Sequence, residues 1–147
     1  MRRLLFIIAA LLLLATPAYS QASNKICFTT NGTNCAPGLQ SSASVPINVA
    51  AATTTQLIAL VANKQIFVTS YDFMANGTQS VTLKYGTGSS CGTGTTSLTG
   101  PYPVIAQAGI SKGNGTGAVL FVPPGNALCI TTSGSSQVSG SVSYVQF

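Results

Sequence analysis

The sequence predicts an all-β fold, a two-sheet antiparallel sandwich of jelly-roll type that is preceded by a cleaved signal helix. Three observations support this prediction. After residue 20, no apolar spacing of three and four residues is sustained as a helix requires, whereas β-branched residues recur in short runs. Glycine-centred turn signals separate these runs. Roughly eight short strands without an internal repeat favour two packed sheets.

The N-terminus has the layout of a secretory signal peptide. Arg2 and Arg3 form a positive n-region, and Leu4–Ala15 is an unbroken apolar run that small residues follow. This run has 12 residues, whereas a membrane-spanning helix needs roughly 20. We therefore predict cleavage after Ser20 or Ala22, no stable membrane span, and a secreted or periplasmic protein.

Removing residues 1–20 leaves a chain of the size of one domain. We expect residues 21–44 to form an N-terminal disulfide-bearing segment and residues 45–147 to form the β-sandwich domain. Four lysines and one aspartate remain, so the formal net charge is +3. The lysines are scattered and the chain has no Trp, whereas nucleic-acid binding uses clustered basic residues and stacking aromatics. Nucleic acid is therefore not an expected partner.

Eight strands are predicted along the mature chain. Apolar and polar residues alternate in Ser80–Tyr85, which is the pattern of a half-buried strand. Leu57–Val61 and Ala118–Val122 are continuously apolar, as expected for strands that are covered on both sides or that lie against a neighbouring copy. A short buried helix over Ala50–Val61 is the alternative to the strand predicted there. The predicted strands are Val45–Ala50, Gln56–Val61, Gln65–Met74, Ser80–Tyr85, Tyr102–Gln107, Gly117–Val122, Ala127–Thr132 and Gln137–Phe147.

Several connections carry specific turn signals. Pro123–Asn126 is predicted to be a turn, because proline lacks a ladder donor and glycine tolerates positive φ. Asn76–Gly77 stands between two alternating runs and is predicted to form a type I′ hairpin turn. Asn31, Asn76 and Asn114 each begin an Asn-Gly-Thr triplet, which also matches the N-glycosylation acceptor. Whether any of them is glycosylated depends on the host.

Four cysteines in an exported chain indicate two disulfides, and three pairings are open. We favour Cys27 with Cys35, which would close a short loop, and Cys91 with Cys129, which would tie a glycine-rich segment to a strand. No Cys-x-x-Cys spacing and no histidine occur. A zinc site or a redox-active pair is therefore not expected.

The sequence predicts no catalytic, cofactor-binding or metal site, and the protein is not expected to be an enzyme. General acid–base chemistry uses paired carboxylates, a histidine or a tuned lysine beside a nucleophile, and Asp72 is the single acid. A Ser–Lys dyad would have no motif to mark it. Gly86–Gly94 resembles a phosphate loop, but Cys91 replaces the third glycine and no Lys-Ser/Thr follows. We expect a flexible surface loop there.

Two binding roles are alternatives to a structural one. A carbohydrate-binding module would use a tyrosine platform, but a tyrosine in a strand is more often packed with its hydroxyl outward. A small outer-membrane β-barrel is suggested by the terminal aromatic Phe147, although it needs strands of about 9 to 11 residues with an apolar lipid face. The candidate tyrosines are Tyr71, Tyr85, Tyr102 and Tyr144.

The second half of the chain resembles small β-sandwich proteins of bacteriophages and prophages, and their exported bacterial relatives. The likeness rests on the strand and turn pattern of Leu83–Gly86, Ser97–Pro101, Val122–Leu128 and Val138–Tyr144. It implies a virion-surface or head-decoration type of module and carries over no functional residues. The signal peptide and the cysteines depart from an ordinary capsid protein, which assembles in the reducing cytoplasm, and favour a domain reused at the cell exterior.

We therefore expect an exported, non-catalytic structural or adhesive module that associates with copies of itself, with the cell surface or with a larger particle. The small net charge does not oppose self-association. Surface apolarity should discriminate between the roles. An exposed apolar face at Ala118–Val122 would favour assembly, and tyrosines converging in a groove beside Asn and Gln would favour sugar binding.

Overall fold

The computed structural model describes residues 25–27, 35–37 and 40–147, so the predicted signal peptide lies outside the described residues. The described residues form twelve strands and one 3-10 turn, Ser89–Cys91. The all-β prediction is confirmed. The strands are β1 (Lys25–Cys27), β2 (Cys35–Pro37), β3 (Ala43–Val49), β4 (Thr54–Ile58), β5 (Ile66–Ala75), β6 (Gln79–Thr87), β7 (Thr93–Ser97), β8 (Tyr102–Val104), β9 (Gly109–Gly113), β10 (Leu120–Val122), β11 (Ala127–Thr132) and β12 (Val138–Gln146).

The strands form two packed antiparallel sheets and a separate short ladder. In sheet I the order is β3, β12, β5, and both β9 and β10 pair with the far edge of β5. In sheet II the order is β4, β11, β6, and both β7 and β8 pair with the far edge of β6. The third ladder joins β1 to β2. The predicted two-sheet antiparallel architecture is confirmed.

The core lies between the inner faces of the two sheets, because alternate residues of each strand point inward. Consecutive strands from β3 to β6 lie in alternate sheets, so each of them contributes one apolar face to the same core. A β-bulge at Thr69 shifts the register of β5 against β12, and the Thr69 hydroxyl donates to Ser143 O at 3.1 Å. Fully or almost fully buried core residues include Ile47, Val68, Phe73, Leu83, Leu128, Ile130, Val138 and Val142.

Each of the eight predicted strands overlaps a strand of the structure, but several bounds differ. β4 confirms the strand predicted within 50–61, and the helix alternative is wrong. The apolar residues 59–61 follow β4 and are exposed, so the expected cover on both sides is absent there. β8 and β10 are shorter than predicted, and β3 begins at Ala43, before the predicted domain start.

The predicted hairpin at Asn76–Gly77 is wrong. β5 lies in sheet I and β6 in sheet II, so the segment crosses between the sheets. Neither residue has the positive φ that a type I′ turn requires. Both edges of β5 are already paired, and the alternating face of β6 reaches the core only from the opposite sheet. Gly77 instead allows close approach, because an added Cβ would lie 2.8 Å from Ser136 Cβ.

The predicted turn at Pro123–Asn126 is confirmed, and it connects β10 in sheet I to β11 in sheet II. The Asn126 N–H donates to Pro123 O at 3.3 Å, and Gly125 has a φ of 72°. The Asn126 side-chain amide also donates to Pro124 O at 3.2 Å. This turn fixes the point at which β10 leaves sheet I.

Candidate functional site

An exposed aromatic cluster occupies one end of the outer face of sheet I. Phe67 of β5 is its centre, Phe121 of β10 lies directly opposite in register, and Val145 of β12 faces Phe67 on the other side. Phe147 follows β12 and exchanges two backbone hydrogen bonds with Gln65, at 2.9 and 3.2 Å. With Val119, whose N–H donates to Val68 O, these side chains form what we call the aromatic surface. Its members are Phe67, Val119, Phe121, Val145 and Phe147.

The three phenylalanines are in mutual contact through Phe67. The Phe67 and Phe147 ring centroids are 4.8 Å apart with an interplanar angle of 14°, and the Phe67 and Phe121 centroids are 5.7 Å apart at 82°. Stacked and edge-to-face pairs are both favourable geometries for aromatic rings. The contacts hold the rings in a defined arrangement on the outer face rather than leaving three independent side chains.

Much of the aromatic surface is accessible to solvent. Phe121 is 48% exposed, Phe147 47% and Val119 38%. Single exposed apolar residues are common on proteins, but a contiguous group indicates a surface that interacts. The apolar run 118–122 was expected either to be covered on both sides or to lie against a neighbouring copy. The structure leaves its outward residues uncovered.

The opposite end of this outer face carries polar side chains beside the exposed Met74. The Asp72 carboxylate accepts a hydrogen bond of 2.6 Å from the Ser141 hydroxyl. It borders a shallow depression of about 460 Å³ together with the hydroxyl-bearing Ser111 and Ser139 and the exposed Met74. In the part of the chain that the structure describes, no group of three or more His, Cys, Asp or Glu residues could hold a metal ion.

The candidate tyrosines do not converge in a groove. Tyr71 is 3% exposed, and Tyr85, Tyr102 and Tyr144 are partly buried and pack against the core. The Tyr71 and Tyr102 hydroxyls are 2.9 Å apart and link β5 of sheet I to β8 of sheet II. Burial, followed by the hydrogen bond with Tyr102, raises the pKa of Tyr71 above its usual value. These rings stabilise the packing of the two sheets.

The predicted disulfide between Cys91 and Cys129 is confirmed, with a Cα–Cα distance of 6.3 Å. It fastens the 3-10 turn that contains Cys91 to β11, and with Ala127 the two cysteines form a small buried cluster apart from the main core. The segment expected to be a flexible loop therefore contains the end of β6, a tethered turn and the start of β7. Cys27 lies opposite Cys35 in the β1–β2 register, but their side chains lie outside the described part.

The three Asn-Gly-Thr triplets differ in what the structure describes. Asn76 and Asn114 are exposed, and Asn31 lies outside the described residues. The Asn114 side-chain oxygen accepts hydrogen bonds from the Thr116 N–H at 3.1 Å and the Thr116 hydroxyl at 2.8 Å. This local turn shapes the connection that leads from β9 towards β10 and the aromatic surface.

Sequence reasoning identified the β10 part of the aromatic surface but not Phe67 or Phe147. Phe67 lies in a predicted strand whose other outward residues are Ser70, Asp72 and Met74. Phe147 ends the predicted strand Gln137–Phe147, far from Phe67 in the sequence. The register of β5 with β10 and β12 brings them together. The sequence signal is one aromatic residue in or beside each strand: Phe67 near the start of β5, Phe121 in the middle of β10 and Phe147 just after β12. This signal can be used only once the strand register is known.

Comparisons of the chain with models of known protein families, with curated proteins and with solved structures found no match. Among residues 25–27, 35–37 and 40–147, no helix has the length and apolar character needed to cross a membrane.

Proposed function

We propose that this protein is an exported, non-catalytic structural or adhesive module that assembles through the aromatic surface, with copies of itself or with the surface of a larger particle. The observation that carries this proposal is the contact of Phe121 and Phe147 with Phe67, in which Phe121 and Phe147 are about half exposed. Aromatic residues dominate the binding energy of many protein interfaces, because they bury a large area at a small cost in conformational entropy.

The chemistry of the aromatic surface favours a protein partner over a charged ligand. None of its five side chains is charged or polar, so burying these side chains requires no side-chain charge to be desolvated. The nearest acid along β5, Asp72, faces the opposite end of the sheet and is hydrogen-bonded to Ser141. Burying exposed apolar area contributes about 25 cal/mol per Å², which makes a second apolar surface the best complement.

The strand order supports a jelly-roll assignment for the sandwich. With the short edge strands counted together, sheet I reads β3, β12, β5, β9/β10 and sheet II reads β4, β11, β6, β7/β8. Successive strands lie in opposite sheets except where β6 is followed by β7/β8. Two four-stranded sheets connected in this way are typical of a jelly roll, an architecture of viral capsid and lectin domains.

The disulfide supports export. Cys91 and Cys129 are covalently joined, and such bonds persist in oxidising compartments such as the periplasm or the exterior. This bond and the predicted signal peptide support a secreted or periplasmic location. A carbohydrate-binding role has less support, because the tyrosines that would form its platform pack against the core.

Association of the mature, disulfide-intact chain tests the proposal. We expect light scattering and sedimentation over a concentration series to show reversible association, and Phe121→Ser to weaken it at least tenfold in Kd, since the aromatic ring contributes the interface contact. Phe121 is half-exposed, so the substitution should leave the fold intact.

Met74→Ser is the matched control. Met74 of β5 is an apolar residue on the same outer face of sheet I as Phe121 and is 53% exposed, but it lies outside the aromatic surface. We expect it to associate as the unmodified protein does. A monomer at every concentration, both alone and with the isolated cell-surface fraction, or equal weakening by both substitutions, would overturn the proposal.

A further inference from the structure

We infer that the aromatic surface is the docking site of the chain's own β1–β2 ladder, which covers it in the unassembled protein. In the described chain, β1 and β2 pair with each other and with no other strand. A two-stranded ladder by itself is marginally stable in water and needs an apolar surface to pack against. Docking of the ladder does not require that the protein assembles.

The place where the chain enters the sandwich lies beside the aromatic surface. The Ser42 N–H donates to Tyr144 O at 3.1 Å, and Tyr144 directly precedes Val145. The Ser41 N–H donates to Gly115 O at 3.3 Å, and Gln40 pairs with Thr116 just before the segment that leads to Val119. The entry point is therefore bordered by β12 and by the connection from β9 to β10, and each of them carries a member of the aromatic surface.

A short tether holds the ladder at this point. Only residues 38 and 39 separate Pro37, the end of β2, from Gln40. Three Cα–Cα steps span at most roughly 11 Å, so β2 ends within that distance of Gln40. A short tether gives an effective concentration on the order of millimolar or above. The ladder is therefore the occupant that reaches the aromatic surface first, ahead of a second copy at micromolar concentration.

The composition of the ladder suits this surface. Its register pairs Ile26 with Ala36 and Cys27 with Cys35, and Lys25 is the only charged residue in either strand. Lys25 is the first residue of the ladder, and the remaining residues of both strands are uncharged. Such a ladder can pack against an uncharged aromatic surface with Lys25 at its end, without an unpaired buried charge. A second copy would then have to displace the ladder, so that assembly begins only where the local concentration is high.

Trypsin provides a probe within the natural sequence. Lys25 is the only basic residue of the mature chain before Lys64, and Lys84 lies within β6 of sheet II. The ratio of the cleavage rate after Lys25 to the rate after Lys84, measured by mass spectrometry on the oxidised mature chain, reports opening of the ladder relative to opening of the sandwich. A general loss of stability raises both rates and does not by itself raise the ratio.

We expect Phe121→Ser to raise this ratio roughly tenfold, which corresponds to about 1.4 kcal/mol, and Met74→Ser to leave it unchanged. Dilution of the unmodified protein should not change it, because the ladder is on the same chain. An equal ratio in the unmodified protein and Phe121→Ser would overturn the inference. A ratio that rises on dilution would also overturn it, since a second copy would then be the cover.

The two proposals can fail separately. If the protein never associates but Phe121→Ser exposes Lys25, the proposed assembly is wrong and docking of the ladder stands. If Phe121→Ser weakens association and leaves the ratio unchanged, the aromatic surface is an interface that the ladder does not cover.

Discussion

At the residue scale, Tyr71 shows how a polar group can be placed between two apolar sheets. Its ring stacks with Phe73 at a centroid distance of 6.2 Å, and its hydroxyl is hydrogen-bonded to that of Tyr102 on the opposite sheet. A buried hydroxyl without a partner costs about 1–3 kcal/mol. The hydrogen bond with Tyr102 therefore gives the buried Tyr71 hydroxyl a partner, and it joins sheet I to sheet II.

This environment predicts a loss of stability at alkaline pH. Burial and the Tyr102 hydrogen bond raise the pKa of Tyr71 in the folded protein, whereas the unfolded chain titrates near 10.0. Above pH 10 the unfolded chain releases the Tyr71 proton and the folded chain keeps it. The free energy of unfolding therefore falls as pH rises, by up to about 1.4 kcal/mol per pH unit. Below pH 10 this contribution is fully present.

Urea unfolding between pH 8 and pH 11 measures the effect. We expect Tyr71→Phe to reduce the slope of stability against pH above pH 10, because its side chain does not titrate. Tyr144→Phe, a change to a partly buried tyrosine of β12, controls for the loss of one hydroxyl. If Tyr71→Phe and the unmodified protein showed the same slope, Tyr71 would not be the group responsible.

At the element scale, the crossing between β5 and β6 depends on Gly77. Alanine at this position would place a Cβ 2.8 Å from Ser136 Cβ, and nearer still to the Ser136 hydroxyl. We expect Gly77→Ala to lower the free energy of unfolding by about 1–3 kcal/mol, the usual cost of overpacking, in urea denaturation.

Two further variants make this expectation specific. Gly100→Ala is the control, because nothing lies within 4 Å of the added Cβ and its φ is not positive. Ser136→Gly should restore the stability of Gly77→Ala, since it removes the atoms that the new methyl group meets. Equal effects of Gly77→Ala and Gly100→Ala would show that close packing against Ser136 is not what requires glycine at position 77.

The same crossing shows what local pattern could and could not predict. An Asn-Gly pair between alternating runs favours a hairpin. Whether β5 pairs with β6, however, depends on which other strands occupy the two edges of β5. β7 escaped prediction because all five of its residues are exposed, so no apolar periodicity marks it. The strand β9 was not predicted either, because its Gly109 and Gly113 pack against the backbone of β5. A contact made by glycine leaves no pattern of apolar side chains in the sequence. Ser80–Tyr85 was predictable because alternation alone records its half-burial.

At the scale of the whole molecule, part of the candidate site was predictable. The apolar run 118–122 indicated a surface in need of a partner, and β10 does present Phe121 outward. The rest depends on register across three strands, because Phe67 and Phe147 are distant in sequence and meet only through pairing of β5 with β10 and β12. The disulfide from Cys91 to Cys129 was predictable, because a glycine-rich segment can bend to reach a strand.

The charge distribution of the whole chain leads to a last prediction about assembly. Residues 21–147 carry four lysines and one aspartate, and none of them belongs to the aromatic surface. Association through that surface should therefore not weaken when NaCl is raised from about 0.05 to about 0.5 M, which screens charge pairs. Sulfate should strengthen it, because excluded salts favour apolar burial. Sedimentation at matched protein concentrations measures both effects.

Asp72→Asn, which removes the sole carboxylate side chain, should leave the Kd unchanged. Weakening by NaCl together with weakening by Asp72→Asn would instead place the contact at the polar end of sheet I, between Asp72 and a lysine of the next copy.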